Sequence, residues 1–310
     1  MTLYESGAIL FRQSWPLLLV PALWGWGYPL IRGSLADSGP FSFLLWRFAF
    51  ALAPLAVVCG PALRGAGRPA WRGGIVTGVA LFLAYATLNL GLVYTTTANA
   101  GFVIGLRVVL VPVLGALWFG LQVARLSWFA AALSLVGLAF IAFAVTDGVA
   151  GPNPGDMIML ASAACFALHV LLVDRQARKV AAAPLLLIQI GTVVVLSAPA
   201  ALLLDAQPLP AASSVWWNAA LAGLFATALA FWLQVRYQPR TTADRSGIVF
   251  SSEPLFAALF GYLYLGERLH GWQWLGAGFI VAAMLLVNVP SRDSRAAAQK
   301  EEPCTPTPGT

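Results

Sequence analysis

Residues 247–269 read GIVFSSEPLFAALFGYLYLGERL, a stretch with enough apolar length to cross a bilayer, which takes about 20 residues. Its first third nevertheless holds SSEP, two serines, a glutamate and a proline, which lipid and a regular helix both disfavour. Residues 96–120, TTANAGFVIGLRVVLVPVLGALWFG, have the same design, with an arginine and a proline in the interior. Polar groups at membrane depth are tolerated only against protein or water. Both stretches therefore predict membrane-spanning helices with a polar face turned away from lipid.

The amino-acid composition places the whole chain in a membrane. Of its 310 residues, 60% are hydrophobic and only 10% are charged, whereas a soluble domain carries roughly 25% charged residues. The charges form short clusters between apolar runs of bilayer-spanning length. We therefore predict an all-α integral membrane protein with ten transmembrane helices. The predicted spans are 15–31, 40–59, 74–93, 97–119, 127–145, 156–173, 182–204, 215–235, 246–265 and 272–289.

The Lys and Arg residues are distributed unevenly between the loops. Fourteen of the 18 fall in the termini and in the loops on one side, whereas the opposite side has only Arg32 and Arg268. Basic residues accumulate in cytoplasmic loops, which predicts a multi-pass protein of the plasma (inner) membrane with both termini in the cytoplasm. The net charge of +6 is explained by this topology and does not indicate a nucleic-acid partner. We expect the polar residues 291–310 to form a disordered cytoplasmic tail.

The second half of the chain repeats the first at an offset of 145 residues. This offset aligns Thr96-Thr97-Ala98 with Thr241-Thr242-Ala243, Gly78 with Gly223 and Asn89 with Gln234, and neighbouring offsets align Pro40 with Pro184 and Trp128 with Trp274. We predict two five-helix repeats, residues 15–145 and 156–290. Because five is an odd number, the second copy enters the membrane from the opposite side. Inverted repeats around a central cavity are typical of transporters that work by alternating access.

Several segments resemble the EamA family of the drug/metabolite transporter superfamily. They are LWGWGYPLIRG (23–33), WRF (46–48), YTTTANAGFVIGL (94–106), TTADRSGIVFSSEPLFAALF (241–260) and LGERLHGWQWLG (265–276). The resemblance covers residues 15–290 and implies a ten-helix carrier of small metabolites with its cavity between the repeats. Some members export amino acids, and others move purine-related or drug-like solutes. Arg107 departs from the family pattern, in which an aromatic or neutral residue is common.

Glu253 and its neighbours are the first candidate site. Pro254 removes a backbone donor and can kink the helix, and the freed carbonyls beside Ser251 and Ser252 would form a polar notch. Glu253 is then either a carboxylate that couples transport to protons or gates the substrate, or a structural group satisfied by neighbouring backbone and hydroxyls. The resemblance suggests that the Glu-Pro pair is shared within the family, which favours the structural role slightly.

Two arginines lie within spans. Arg107 is near mid-depth in the fourth span and aligns with Ser252, so we expect it to face the cavity, where it either pairs with Glu253 or binds a substrate carboxylate with its planar fork. Arg47 lies seven residues into the second span, and we expect it to extend outward to the membrane surface, with a role in substrate binding as the less favoured alternative. Pro112, in the fourth span, is a second candidate hinge.

Aromatic and polar side chains in other spans complete the predicted solute site, because a ligand pocket is mostly apolar with a few convergent polar groups. These candidates are Trp24, Trp26, Tyr28, Tyr85, Asn89, His169 and Gln234. For His169, packing against a backbone carbonyl is the favoured alternative.

The sequence therefore predicts a secondary transporter that moves a small organic solute, with export of an amino acid or a related amphipathic molecule as the most concrete case. The partners are the solute and the lipid bilayer, we expect no metal or other cofactor, and the oligomeric state is left open. The alternatives are a membrane-embedded enzyme and a non-transporting membrane subunit or receptor. An enzyme would need a nucleophile with its base, a metal site or paired carboxylates, and the spans contain no such set.

Overall fold

A computed structural model describes residues 15–94, 97–143, 154–265 and 271–288, and their regular structure is entirely helical. The predicted tail, residues 291–310, lies outside the described residues. The helices are α1 (Pro16–Leu35), α2 (Pro40–Cys59), α3 (Arg68–Tyr94), α4 (Thr97–Gly105), α5 (Arg107–Phe119), α6 (Arg125–Phe143), α7 (Pro154–Ala177), α8 (Ala182–Leu204), α9 (Ser213–Gly223), α10 (Ala230–Tyr237), α11 (Ala243–Phe250), α12 (Glu253–Leu265) and α13 (Gly271–Asn288). Short 3₁₀ segments follow α2 and α10, and a π-helical segment, Leu224–Leu229, joins α9 to α10.

Length and hydropathy confirm an all-helical membrane protein. Within the described residues, five helical segments are long and apolar enough to cross a bilayer. They cover Pro40–Gly65, Arg68–Tyr94, Met157–Ala177, Ala182–Leu204 and Ser213–Arg240. Shorter apolar helices accompany them, and helical residues lie within each of the ten ranges predicted from sequence. Large apolar side chains such as Val57, Leu203 and Trp217 are exposed on the outside, where lipid would cover them.

Two of the predicted spans are broken in the middle. Leu106 interrupts the helix between α4 and α5, and Ser251 and Ser252 interrupt it between α11 and α12. Leu106 and Ser251 are 145 residues apart, which is the offset between the two halves of the sequence. The two breaks therefore occupy matching positions in the predicted repeats.

The helices pack through a small number of extensive contacts. The largest are α3 against α7 and α8, α2 against α8, and α6 against α13, while α1 packs against α9, α10 and α12. Glycines permit close approach at two contacts, that of α9 with α2 and that of α3 with α8. A Cβ at Gly223 would lie 2.5 Å from the Arg47 carbonyl oxygen, and one at Gly78 would lie 2.8 Å from the Gln189 carbonyl oxygen. Any side chain at either position would collide with backbone.

The N-terminus of α2 is capped by a residue from the other half of the chain. Asp205, directly after α8, accepts hydrogen bonds from the Ser42 backbone N–H and hydroxyl, both at 2.6 Å. The first N–H groups of a helix have no partner within the helix and carry a partial positive charge, so a carboxylate there is stabilising. A Cβ at Gly39 would occupy the space of the Asp205 carboxylate, and glycine at this position leaves room for the cap.

The centre of the molecule is a cluster of aromatic rings. Tyr85 contacts Phe48 and Phe166 with ring centroids 5.3 and 5.1 Å apart, and Trp24 contacts Phe231 and Phe250 at 5.5 and 5.2 Å. Most of these contacts are tilted or edge-to-face, the geometry that aromatic quadrupoles prefer. This cluster surrounds the charged side chains described next.

Candidate functional site

The break between α11 and α12, in the ninth predicted span, places two oxygen acceptors at the centre of the molecule. They are the carbonyl of Phe250 and the carboxylate of Glu253. The Phe250 carbonyl would normally accept a bond from the N–H four residues later, but that residue is Pro254, which has no N–H. Arg107 instead donates to the Phe250 carbonyl oxygen at 2.6 Å, and the same Nη2 atom forms an ion pair with Glu253 Oε2. The proline therefore frees the carbonyl that the arginine uses.

The two serines at the break donate hydrogen bonds to backbone carbonyls of their own segment. The Ser251 hydroxyl donates to the Ile248 carbonyl oxygen at 2.6 Å, and the Ser252 hydroxyl donates to the Val249 carbonyl oxygen at 2.7 Å. The backbone N–H groups of Ser251 and Ser252 donate to the same two carbonyl oxygens, both at 3.2 Å, so each hydroxyl adds a second bond to its carbonyl, a local bond that Ser side chains commonly form. Both serines are buried. SSEP thus holds an interrupted helix in which the serine hydroxyls reinforce the backbone bonds at the break and the glutamate pairs with the arginine.

A cavity lies beside this ion pair. Its lining residues are Trp24, Tyr28, Ile31, Arg47, Tyr85, Leu88, Arg107, Phe166 and Glu253. The free volume is about 10 Å³, about the room that one water molecule requires. The lining combines aromatic faces with charged groups, the composition typical of small-molecule sites.

Aromatic rings enclose the Arg107 guanidinium. Its central carbon lies 5.4 Å from the Trp24 ring centroid and 6.0 Å from that of Phe166, within the range of cation–π attraction. Tyr28 lines the same cavity as the Glu253 carboxylate. Arg107 Nε and Trp24 Nε1 are buried and have no hydrogen-bond partner in the structure. The ion pair therefore sits in an aromatic cage that still contains two unused donors.

Arg47 does not extend outward to the membrane surface, and the expectation from sequence is wrong here. Its side chain is 2% exposed and lines the cavity. Nε donates to the Thr227 hydroxyl at 2.7 Å, and Nη2 donates to the Ala226 carbonyl oxygen at 3.1 Å and the Tyr85 hydroxyl at 3.3 Å. The physical reason is the π-helical segment Leu224–Leu229, because its wider turn leaves backbone oxygen available to an inward-pointing arginine.

The structure brings together five of the side chains predicted from sequence, and they are Trp24, Tyr28, Tyr85, Arg107 and Glu253. Other predicted residues are buried nearby but do not line the cavity. Asn89 donates to the Pro40 carbonyl oxygen at 2.9 Å, and Gln234 donates to Gln238 at 2.9 Å. His169 Nε2 lies 3.3 Å from Gln189 Oε1, and the imidazole packs edge-on against Phe231.

Two further predicted positions fall elsewhere. Trp26 is half-buried and packs edge-on against Phe225, 5.9 Å between centroids. Pro112 lies inside α5, which is continuous there, and the break in this span is at Leu106. A proline cannot donate to the carbonyl four residues before it, so the disturbance that Pro112 introduces falls on the N-terminal part of α5 rather than at the proline.

Sequence reasoning missed Arg47, Thr227 and Phe166 as parts of the site. Arg47 carried a usable signal, since a charge within a span normally faces a partner or a cavity. Thr227 and Phe166 carried none, because a lone threonine or phenylalanine in an apolar helix is ordinary. Among the described residues, no cluster of three or more His, Cys, Asp or Glu side chains has the arrangement of a metal site.

The family to which the chain belongs is decided by its sequence pattern. The pattern of the EamA-like transporter family matches residues 14–143 and 153–289. The chain belongs to the EamA-like transporter family. The resemblance that was inferred from the motifs is thereby confirmed, and this EamA protein is a multi-pass membrane transporter by family.

Known relatives agree with this family. A transporter of Archaeoglobus fulgidus, named only as uncharacterized, is 31% identical over 275 residues, which cover 88% of this chain and 84% of that protein. The permease-like protein YdzE of Bacillus subtilis is 35% identical over 65 residues, 21% of this chain and 83% of that protein. A solved crystal structure superimposes with a TM-score of 0.71 over 92% of this chain and 98% of the other, at 20% identity. That last similarity concerns the fold alone.

Proposed function

We propose that this EamA protein is a secondary transporter that carries a small organic solute through the central cavity by alternating access. The observation that carries the proposal is the buried ion pair of Arg107 and Glu253, which joins the two broken spans beside that cavity. A buried charge pair is costly to desolvate and is weak evidence for stability. In a membrane segment such charges mark substrate or ion pathways.

The inverted five-helix repeats, residues 15–145 and 156–290, are part of the same proposal. Two observations support them. The helix breaks occupy matching positions, and the helix contacts are symmetric when each span is exchanged with its mate. That exchange converts the contact of α3 with α7 into the contact of α9 and α10 with α1, and it maps α2–α8 and α6–α13 onto themselves. Ten spans with this symmetry would let the two repeats exchange conformations around one site.

Opening of the cavity is required for transport. A free volume of about 10 Å³ is far below the several hundred Å³ of a typical ligand site (~300 or more). The arrangement described here is therefore closed at its centre. Broken helices offer a way to open it, because a half-helix can tilt without disturbing the hydrogen bonds of the other half. Residues 106 and 251–252 are the proposed pivots.

The most concrete solute is an amino acid or a related amphipathic molecule. Aromatic faces at Trp24, Tyr85 and Phe166 would contact an apolar body, and the charged groups would contact its polar end. We further propose export across the plasma (inner) membrane, with both termini in the cytoplasm, as the distribution of Lys and Arg in the sequence favours.

Reconstitution tests the proposal directly. Purified protein in liposomes preloaded with unlabelled solute should accumulate the labelled solute in a saturable way, because a carrier exchanges one molecule for another. The panel consists of labelled amino acids, organic acids and amines. Arg107→Ala protein that is recovered folded should lose this exchange, whereas Arg125→Ala, at the exposed start of α6, should retain it. Absence of exchange for every solute, or wild-type kinetics in Arg107→Ala, would contradict the proposed function or the role of Arg107, respectively.

A further inference from the structure

The charges that line the cavity do not balance. The lining contains two arginines and one glutamate, and the glutamate is already engaged with Arg107. Within the described residues, no Asp or Glu carboxylate lies at ion-pair distance from Arg47. The cavity therefore carries one positive charge in excess at neutral pH, because an arginine does not lose its proton in a protein.

Neutral groups hold Arg47 in place. The Thr227 hydroxyl, the Tyr85 hydroxyl and the Ala226 carbonyl accept its three hydrogen bonds, and the Tyr85 ring lies 4.7 Å from the guanidinium carbon. A guanidinium has five N–H donors, so these contacts orient the group without neutralising it. A buried charge at membrane depth is tolerated when it meets an opposite charge or water.

The surroundings fix the position of Arg47. The π-helical segment Leu224–Leu229 supplies two of the three acceptors, and π-bulges occur frequently at functional sites. Gly223, at the end of α9, brings this segment against the backbone of α2 at the Arg47 carbonyl. The arginine is therefore positioned by backbone contact, by stacking and by hydrogen bonds before any solute arrives.

We propose that Arg47 is an anion subsite and that the solute is an organic acid with one net negative charge, whose carboxylate binds Arg47. This inference rests on the proposed function and, within its class of amphipathic solutes, favours an acid without a charged amine over an amino acid. A monoanion neutralises the excess charge of the closed cavity, whereas a zwitterionic amino acid leaves it in place and an amine increases it. The Tyr85 ring lies against Arg47 and meets the Phe166 ring edge to face at 5.1 Å, and these two rings select an apolar or aromatic body. The planar fork of arginine matches the two oxygens of a carboxylate.

The test compares solutes that share one body and differ in charge. The first set is 3-phenylpropionate, phenylalanine and 2-phenylethylamine, which carry a net charge of about −1, 0 and +1 at neutral pH by ordinary group pKa values. The second set has an indole body and the third has a branched alkyl body, with the same three charges. Each solute is tested in proteoliposomes both as a labelled substrate and as a competitor. We expect the acid of at least one set to exchange fastest and to compete most strongly.

Variants of Arg47 connect this preference to the subsite. In Arg47→Gln, the ratio of acid to zwitterion exchange should fall at least roughly tenfold, because the lost hydrogen bonds involve a charged group. Arg47→Lys keeps the charge and should keep the preference for the acid at reduced affinity. Arg64→Gln removes a positive charge from the exposed turn after α2 and should leave the ratio unchanged. Thr227→Val removes one neutral hydrogen-bond partner of Arg47 and leaves the arginine in place. This variant is the control for whether reduced folding alone changes the ratio of acid to zwitterion exchange.

The outcomes separate this inference from the function on which it rests. No exchange with any member of the three sets would overturn both. Exchange in which the zwitterion or the amine is preferred, or in which the acid is preferred equally by wild type and Arg47→Gln, would overturn the anion subsite alone. If Arg47→Gln does not yield folded protein, the ratio measured in Arg47→Lys and Thr227→Val decides. A preference for the acid that is retained in both variants supports the subsite, and its loss in Arg47→Lys, which keeps the positive charge, contradicts it.

Discussion

At the scale of single residues, one proline determines the polar centre. Pro254 deprives the Phe250 carbonyl of its helical partner, and Arg107 donates to that oxygen and to Glu253 from one nitrogen. The sequence predicted that Arg107 and Glu253 could meet, because the repeat offset places them side by side in symmetry-related spans. It did not predict that the arginine would also use a backbone carbonyl. Such a bond depends on the direction in which the freed carbonyl points after the helix is interrupted, and residue type does not specify this direction.

Removal of one partner of the ion pair should destabilise the protein more than removal of both. Glu253→Leu leaves the Arg107 guanidinium buried with a single carbonyl acceptor, which we expect to cost about 3–5 kcal/mol. The Arg107→Met/Glu253→Leu double variant should recover most of that loss. Thermal unfolding in detergent measures both. Equal destabilisation of the single and double variants would show that the pair contributes through packing rather than through charge.

Glu253 is also the candidate for coupling to protons. If its carboxylate carries a proton during transport, a pH gradient should accelerate flux through the wild type and not through Glu253→Gln. Solute exchange measured without a gradient shows whether the variant is still a competent carrier. A gradient that drives the wild type and an exchange-competent Glu253→Gln equally would assign Glu253 a structural role.

At the scale of helices, close packing at glycines sets the geometry around the cavity. Gly223 faces the backbone of α2 at Arg47, whereas Gly278 in α13 has nothing within 4 Å of the position that a Cβ would take. The five long apolar helices were predictable because apolar length is a strong signal. The π-helical segment and the break at Leu106 were not, since the residues around them, LFATAL and GLR, do not differ from ordinary helix in composition.

Gly223→Ala should therefore be costly and Gly278→Ala should not. A methyl group at residue 223 would lie 2.5 Å from a backbone oxygen, so α9 must shift, and overpacking of this kind costs about 1–3 kcal/mol. We expect Gly223→Ala to lower the unfolding temperature in detergent and to weaken solute exchange through displacement of Arg47. Comparable stability of the two variants would mean that α9 and α2 separate without cost.

At the scale of the whole molecule, the symmetry of helix contacts agrees with an inverted duplication, whereas the charges do not follow that symmetry. Arg47 and Arg107 belong to the first half and Glu253 to the second. The predicted repeat rests on matched glycines, prolines and tryptophans. The site was not readable in the same way, because it is built from residues that differ between the halves, such as Arg107 and its mate Ser252.

Opposite orientation of the two halves is tested by chemical accessibility. In a chain whose native cysteines have been replaced, Gln207→Cys should react with a membrane-impermeant maleimide added outside intact cells. Arg68→Cys should react only after the membrane is permeabilised. Both positions are exposed, so a difference in labelling reports the side of the membrane. Labelling of both from the same side would exclude the inverted arrangement.

In the proposed carrier, the cap that Asp205 places on α2 holds the helices together more firmly at one end of the cavity than at the other. Ser42 and Asp205 form a hydrogen-bonded contact between the second and seventh predicted spans at one end. Their counterparts at the offset of 145 residues, Leu187 and Gly60, have no polar side chains that can build the same contact. A carrier with a hydrogen-bonded contact at one end of its cavity and none at the other has a preferred conformation even without bound solute. We expect the end without the Ser42–Asp205 contact to open first, and the solute to enter from that side.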